Sequence, residues 1–424
     1  MSGLPPFSVL LTMGDYYGTL AAARHFGRMG FQVTLAEWRS WTPTRFSRFV
    51  TRTVRCPPLS DDKAFVSWLL DFGRQNRGHF LYPTSDDAAW LFSVHGSQLH
   101  SVFHMIETPM HVTYTLLNKN RLAEAAKQCR IASPEILAPT SEGSLQAIIE
   151  QLDGSWMIKP TTQIGLITGY KGEHLDGNRP LEHYQEFRDK LRYRQFISAF
   201  DPLVQWPILQ RFYPHARDSI ISIAGYRCED GSMSFLSARK LLQFPQQFGV
   251  GICFEELPHH SGLEASLNGL LSKVGFHGIF EAEFIDEQSS GRHLLIDVNP
   301  RFYGQMAFEI ARGVPLPSLA FYDAIGWQAP RMAHTVAAAT PMVPRHFGNI
   351  SLLALVLLAR TLSRQISLQT VGRWFNFCFA AKGDYKDAVF ERSDLGPWAV
   401  EVCRTLGSIV CHPRSSWRKF FLNV

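Results

Sequence analysis

The chain has 424 residues, of which 46% are hydrophobic and 19% charged, and a net charge of +5. These values are ordinary for a globular protein of two to three domains and argue against a nucleic-acid-binding composition. The seven cysteines form no C-x-x-C pair, which argues against a disulfide framework or a zinc site and predicts reduced thiols in the cytoplasm. The N-terminus lacks a charged region before a long apolar core, so we expect no signal peptide.

The first residues predict a strand, a helix and a second strand, over 7–12, 19–29 and 31–36. This order is a βαβ opening. The turn Gly14–Gly18 is not a G-x-G-x-x-G motif, so we do not expect a dinucleotide site. Two interpretations stay open: the turn presents backbone N–H groups to an anionic substrate group at a helix N-terminus, or it only joins the strand to the helix.

A second α/β unit follows, with a helix near Asp61–Phe72 and a strand over His79–Pro83. The polar residues 84–87 (Thr-Ser-Asp-Asp) then offer N-caps to a helix over 88–97. Capping is the expected role of this cluster, and contact with a substrate is the alternative.

Two lysines stand beside predicted elements in the middle of the chain. Lys119 lies at the start of a helix, and Lys159 lies near the end of the strand Ser155–Pro160. A polar loop containing Gly165 follows, and then a predicted return strand over 166–171. The next predicted strands, Pro207–Tyr213 and two antiparallel strands over 220–226 and 232–239, lead to Arg239 and Lys240.

The segment 278–304, GIFEAEFIDEQSSGRHLLIDVNPRFYG, predicts a β-hairpin with a polar turn. Side chains two apart on a strand share a face, so Asp297 and Asn299 point the same way, and Glu283 can meet them across the hairpin. Two carboxylates and an amide oxygen are hard donors that suit Mg²⁺ held together with substrate phosphates. Arg301 continues the same side if the extended path persists through Pro300.

This hairpin resembles the metal-binding signature of the ATP-grasp superfamily, which includes biotin carboxylase, D-alanine–D-alanine ligase and many carboxylate–amine ligases. The family pattern has an acid on the first strand and Glu-x-Asn-x-Arg on the second. Glu283, Asp297, Asn299 and Arg301 match it, although Asp297 replaces the commoner Glu. The resemblance covers roughly residues 5–330 and implies an α/β fold, with α+β character in the grasp part.

The resemblance also implies domains and site residues. It places a preATP-grasp domain at 1–115, a small lid subdomain with flanking helices at 116–205, a metal-binding subdomain at 206–330 and a mainly helical C-terminal extension at 331–424. It puts Lys119 and Lys159 on the ATP phosphates. Asp218 is the expected ribose ligand, and the adenine is expected against the backbone of Gln210, Arg211, Phe212 and Tyr213.

The implied chemistry is ATP-dependent ligation. The expected cofactors are ATP and Mg²⁺, with two ions at Glu283, Asp297 and Asn299, and with Mn²⁺ as a substitute. A substrate carboxylate becomes an acyl phosphate and is attacked by an amine, while Arg301 and Lys240 hold the transferring group. The partners are thus a small carboxylate and an amine. The alternatives are a non-catalytic ATP-binding regulator, phosphorylation of an enol before an amino acid adds, as in mycosporine-type ligases, and, less in keeping with the chain, a biotin-dependent carboxylase.

The last hundred residues contain a ten-residue apolar run, ISLLALVLLA, within Asn349–Arg360. This run is shorter than the roughly 20 residues needed to cross a bilayer, so we expect no transmembrane segment. A buried or interface helix is the expected structure, which makes a homodimer a further hypothesis. Shallow membrane attachment is an alternative, to which the basic, aromatic tail CHPRSSWRKFF gives weak support.

Overall fold

The computed structural model contains three β-sheets surrounded by helices. The α/β class predicted from the sequence is confirmed. The residues that the structure describes are 7–216, 219–245, 249–258, 260–287, 290–327, 344–379 and 383–422.

The first sheet is parallel and has four strands in the order β3-β2-β1-β4. Its strands are β1 (Ser8–Thr12), β2 (Gln32–Ala36), β3 (Arg52–Val54) and β4 (His79–Leu81). The helices around it are α1 (Tyr17–Arg28), α2 (Asp62–Gln75), α3 (Asp86–Val94) and α4 (Gly96–His100). Apolar residues of the strands and of α1 form one core, as expected for parallel strands covered by crossover helices.

The second sheet is antiparallel and has the strand order β5-β8-β6-β7. Helices α5 (Met110–Leu117) and α6 (Lys119–Gln128) lead to it. Its strands are β5 (Ile136–Leu137), β6 (Trp156–Lys159), β7 (Glu173–His174) and β8 (Ile208–Arg211). Helices α7 (Glu142–Ile149) and α8 (Pro180–Lys190) share its core, and α9 (Gln195–Phe200) follows them.

The return strand predicted over 166–171 is wrong. The strand that returns is the two-residue β7, and residues 160–172 form a loop before it. Gly165, Gly169 and Gly172 all have positive φ values, which turn the chain repeatedly and prevent a continuous strand.

The third sheet has seven strands in the order β13-β12-β9-β10-β11-β14-β15. The first five are β9 (Ile220–Arg227), β10 (Met233–Phe244), β11 (Val250–Leu257), β12 (Gly278–Glu287) and β13 (Arg292–Asn299). Helix α10 (Ser261–Val274) lies between β11 and β12 in sequence, and α11 (Met306–Ala311) and α12 (Leu316–Ala324) follow β13. The predicted hairpin of β12 and β13 lies at one edge of this sheet.

The segment after residue 330, expected to be mainly helical, also adds two strands to the third sheet. These are β14 (His346–Gly348) and β15 (Tyr385–Asp387). Its helices are α13 (Ile350–Leu362), α14 (Leu368–Phe379), α15 (Leu395–Cys411) and α16 (Pro413–Trp417). Within the described part of the chain, no helix has the length and apolar content needed to cross a membrane.

Candidate active site

Four polar side chains share one face of the β12–β13 hairpin. Glu283 pairs with Asp297 in the strand register, and Glu281 pairs with Asn299. Since residues two apart on a strand point to the same side, all four side chains face the same way. A register shift beside Glu283 leaves Ile296 unpaired. Bulges of this kind re-aim side chains next to functional sites.

Three lysines from three different elements surround the two outer acids. Lys240 of β10 is 4% exposed and forms an ion pair with Glu283. The Nζ of Lys119, at the start of α6, lies 3.4 Å from Oδ1 of Asp297. Lys159, at the end of β6, is close enough for the charges of Asp297 and Glu283 to act on it. The structure therefore brings together the three lysines that the sequence analysis placed on phosphates.

The charges of this cluster act on one another. Burial, together with the nearby charge of Lys119, lowers the pKa of Lys159 from its usual value to about 8. Burial alone would raise the pKa of Asp297, but Lys119 and Lys159 hold that pKa below its usual range. Asp297 therefore stays ionised at neutral pH, which a cation ligand requires.

Glu281 is a further acid on the same face, and the sequence alone does not tell whether it also binds metal. Its carboxylate is 4% exposed and accepts hydrogen bonds from Ser222 and Gln305, each 2.9 Å long, and from Asn299 Nδ2 at 2.6 Å. Burial and the charge of Glu283 raise its pKa. Glu281 thus orients the Asn299 amide so that the amide oxygen faces away from it.

Each of the three guanidinium nitrogens of Arg301 has one acceptor. Its Nη2 donates to Oδ1 of Asn299 at 2.8 Å, and its Nη1 donates to the carbonyl of Phe302 at 3.0 Å. Its Nε forms an ion pair with Asp86 at the N-terminus of α3. Capping was the expected role of the cluster 84–87, and Ser85 does cap α3. Through Asp86 the cluster also contacts Arg301, which directly follows the β12–β13 hairpin.

The loop 160–172, which we call the flap, is tied to protein groups. Thr161 donates to the carbonyl of Trp206 at 2.9 Å, and the Thr162 hydroxyl accepts from a backbone N–H within the loop. The Gly165 N–H donates to Asp87 Oδ1 at 2.7 Å, and Arg194 contacts the other oxygen of Asp87 at 2.9 Å. Asp87 therefore fastens the flap to α3.

Lys171, at the end of the flap, is a further cation that the sequence analysis did not single out. The charges of Glu283, Lys240 and Asp297 all act on it. Its place two residues before β7 follows from the shortened return strand, which the residue pattern alone did not predict.

The 210–213 segment, expected to contact adenine, continues strand β8. Gln210 is 4% exposed, and its Oε1 has no hydrogen-bond partner among the described residues. The Phe212 N–H donates to the Ser155 carbonyl at 2.9 Å. The Tyr213 N–H has no such partner within the described part of the chain. Asp218, the predicted ribose ligand, lies outside the described residues.

The Arg211 side chain points to the surface. It stacks over the Trp156 ring, with 4.2 Å between the guanidinium carbon and the ring centroid. It also forms ion pairs of 2.9 Å with Glu135 and Asp153. The Arg211 side chain is thus engaged with the protein, and its backbone N–H donates to the Glu135 carbonyl at 2.9 Å, so the adenine contact that the resemblance implies does not use either group as it stands.

The Gly14–Gly18 turn is filled by a carboxylate of the protein itself. Oε2 of Glu37 accepts the Gly14 N–H at 2.7 Å, and Oε1 accepts the N–H groups of Trp38 and Arg39 at 2.9 and 3.0 Å. The structure therefore favours the interpretation of this turn as a connection between strand and helix over that of an anion site.

The donor set suits Mg²⁺. Glu283, Asp297 and Asn299 carry oxygen atoms on one face, and Lys119, Lys240 and Arg301 contact them. Among the described residues no group of three or more His, Cys, Asp and Glu could hold a metal ion by itself. A site that relies on one or two carboxylates and completes its shell with substrate phosphates and water is the usual Mg²⁺ arrangement.

No protein-family model matches the sequence, and no curated protein matches it. Solved structures do match. An L-amino acid ligase from Bacillus licheniformis is 14% identical, with a TM-score of 0.53 over 77% of this chain and 75% of that one. An N5-carboxyaminoimidazole synthetase from Staphylococcus aureus is 12% identical, with a TM-score of 0.56 over 77% and 79%.

A third similar structure is the biotin carboxylase domain of the 2-oxoglutarate carboxylase from Hydrogenobacter thermophilus, solved with MgADP and bicarbonate. It is 12% identical, with a TM-score of 0.61 over 77% of this chain and 71% of that one. These similarities show that the chain has the ATP-grasp fold, which confirms the prediction from the hairpin motif. At these identities they establish the fold, and the argument for the reaction depends on the site.

Proposed function

We propose that this protein is an ATP- and Mg²⁺-dependent ligase that joins a carboxylate to an amine. The observation that carries this proposal is the face shared by Glu283, Asp297 and Asn299, with Lys119, Lys159 and Lys240 gathered around it. The ATP-grasp fold and the names of similar structures, a ligase, a synthetase and a carboxylase domain, support it.

In this proposal Glu283, Asp297 and Asn299 hold one or two Mg²⁺ ions, which neutralise the ATP phosphates when bound; Mn²⁺ can take their place. Lys119 and Lys159 bind phosphate oxygens. In the structure the acids and lysines neutralise each other. The carboxylates are therefore already ionised for binding a metal cation, and the lysines that would bind phosphate lie in the same cluster.

The nucleotide base belongs at the 210–213 segment in this proposal. The Tyr213 N–H and the Gln210 side-chain oxygen, both unpartnered within the described part of the chain, are the groups that adenine can use. Asp218 is proposed for the ribose hydroxyls. The four-domain division at residues 115, 205 and 330 stays a prediction.

The proposed reaction balances in two steps. A carboxylate oxygen of the substrate takes the γ-phosphoryl group and ADP leaves, so an acyl phosphate forms. The amine then attacks the acyl carbon, phosphate leaves, and a proton of the amine passes to water or to phosphate. Lys240 and Arg301 would hold the charge that develops on the transferring group, because positioning and electrostatics account for most of phosphoryl-transfer catalysis.

The test is a screen of small acids paired with amines, in which phosphate release is measured and products are identified by mass spectrometry. We expect ADP formation only with Mg²⁺ and a suitable acid, and a product mass equal to acid plus amine minus water. Tight ATP binding without substrate-dependent hydrolysis across the screen would instead favour the non-catalytic regulator.

A further inference from the structure

Two consecutive helices near the C-terminus expose apolar side chains along one stripe each. On α13, Leu358 and Leu362 are 57% and 68% exposed; on α14, Leu368, Phe375 and Phe379 are 77%, 63% and 56% exposed. The spacings of four on α13, and of seven and four on α14, keep each set on one face of its helix. We call these five residues the C-terminal apolar surface.

The stripes are additional to the faces that bury the two helices. Leu353 and Val356 of α13 and Cys378 of α14 are buried in a core cluster with residues of β10 and β11. Each helix is therefore apolar on a packed face and again on an exposed face. Isolated exposed apolar residues are common, but stripes on neighbouring helices mark an interaction site.

The charged side chains carried by α13, α14 and their connection are all positive. Residues 324–383 contain no Asp or Glu, whereas α13, α14 and their connection carry Arg360, Arg364 and Arg373. Arg364 and Arg373 are exposed. The chain after Glu401 likewise lacks acids and is basic.

The basic tail lies beside α13. Gln365, three residues after that helix, donates from its side chain to the Phe421 carbonyl at 2.9 Å. Trp417 is 56% exposed and stacks on Phe421 with 4.1 Å between ring centroids. Aromatic rings that are partly exposed to water are favoured at the boundary between lipid and water.

We propose that the C-terminal apolar surface binds the surface of an anionic lipid bilayer. Leu and Phe would enter the headgroup region while the arginines contact acidic headgroups, as amphipathic basic helices do. A second copy of this chain fits less well, because its arginines would face arginines with no acid of residues 324–383 to compensate. The helices would lie on the membrane rather than cross it.

The test is flotation of the full-length protein with vesicles. We expect it to float with vesicles containing about one third phosphatidylglycerol, to stay behind with pure phosphatidylcholine, and to bind less as salt screens the charges. The double variant Phe375→Ser and Phe379→Ser should weaken binding at least about tenfold, because two aromatic side chains no longer enter the lipid. Arg364→Gln with Arg373→Gln should weaken it about 30-fold.

The matched controls are Leu203→Ser, an apolar residue 48% exposed on another surface, and Arg74→Gln, an exposed helical arginine of α2. Both should bind vesicles like the wild type. The proposal is overturned if the wild type does not float with anionic vesicles, or if the paired variants and the controls bind equally. A dimer by light scattering that the Phe375→Ser and Phe379→Ser changes dissociate would identify a second copy as the occupant instead.

Discussion

Among the described residues, the closest charged contact of Asp297 is Lys119, 3.4 Å away, and the charges that act most on it are cations. Removing this carboxylate therefore relieves no dominant repulsion in the metal-free protein. Its side chain is 36% exposed, and partly exposed pairs of this kind contribute about 1 kcal/mol or less. The residue is thus dispensable for folding, although the proposed mechanism needs it.

We predict that Asp297→Asn lowers ADP formation by about 100-fold or more, because it removes a charged metal ligand. The melting temperature should change by only about 2–4 °C, as expected for about 1 kcal/mol in a chain of this size. Asp286→Asn, on the same hairpin but paired with His293, is the control and should leave turnover unchanged. A drop of tens of degrees for Asp297→Asn would make the residue structural.

The lowered pKa of Lys159 predicts how ATP affinity changes with pH. Its pKa is about 8 in the folded protein against a usual 10.5, so burial of the charge costs stability at neutral pH, and this cost declines as pH rises from 8 to 10.5. Phosphate binding needs the charged form. ATP affinity should therefore weaken as pH rises above about 8, and binding there should take up a proton.

Calorimetry in two buffers of different ionisation enthalpy measures that proton uptake. Lys159→Ala should lose the uptake and weaken ATP about 10- to 100-fold, the range for a lost charge-assisted hydrogen bond. Lys63→Ala, an exposed lysine of α2, is the control. If Lys159→Ala bound ATP normally, this lysine would have to be removed from the phosphate site.

The residue spacing predicted which side chains share a face, but not the partners that hold them. The alternation along β13 placed Asp297 and Asn299 together, and the register pairs Glu283 with Asp297. Asp86 meets Arg301 across 215 residues, and no local pattern encodes such a contact. Glu281 was within reach of the same argument, because it lies two residues before Glu283.

At the scale of elements, Asp87 joins α3 to the flap. It accepts the Gly165 N–H and pairs with Arg194. We predict that Asp87→Ala raises the hydrogen-exchange rate of the Gly165 amide at least about tenfold, because its acceptor is gone. Exchange in β12 should stay unchanged, which separates flap release from general unfolding. Unaltered exchange at Gly165 would show that other contacts hold the flap.

Elements were predicted well where apolar patterns are long, and poorly where glycines dominate. The strands of the hairpin and strands β1, β2 and β4 of the parallel sheet contain runs of buried apolar residues. Strand β3, Arg52–Val54, has no buried residue and was not predicted. The return strand was misplaced because the turns at Gly165, Gly169 and Gly172 depend on φ values. An anion site at the Gly14 turn stayed open as an interpretation because the local sequence does not show that Glu37, directly after β2, accepts the Gly14 N–H.

At the scale of the whole molecule, helix α1 beside the first sheet packs directly on the segment that follows the β12–β13 hairpin. A Cβ at Gly18 would lie 2.7 Å from the Tyr303 carbonyl oxygen, so only glycine permits this approach. The contact holds α1 against the segment after the β12–β13 hairpin, and the Asp86–Arg301 ion pair joins α3 to the same segment.

We predict that Gly18→Ala destabilises the protein by about 1–3 kcal/mol, because backbone must shift to relieve the overlap. Gly143→Ala is a matched control: it is also the second residue of a helix, and a Cβ there meets nothing within 4 Å. That control should be neutral or stabilise by up to about 1 kcal/mol. Denaturant unfolding measures both, and equal effects would remove the proposed packing constraint.

The most direct test of the proposed site is calorimetry of ATP binding with Mg²⁺ and with a chelator. We predict that the wild type binds ATP at least about tenfold more tightly with Mg²⁺, since Glu283, Asp297 and Asn299 then share the ion with the phosphates. Asp297→Asn should lose most of this difference, and Asp286→Asn should keep it. Equal ATP affinity of the wild type with Mg²⁺ and with chelator would contradict the assignment of this hairpin as the metal site.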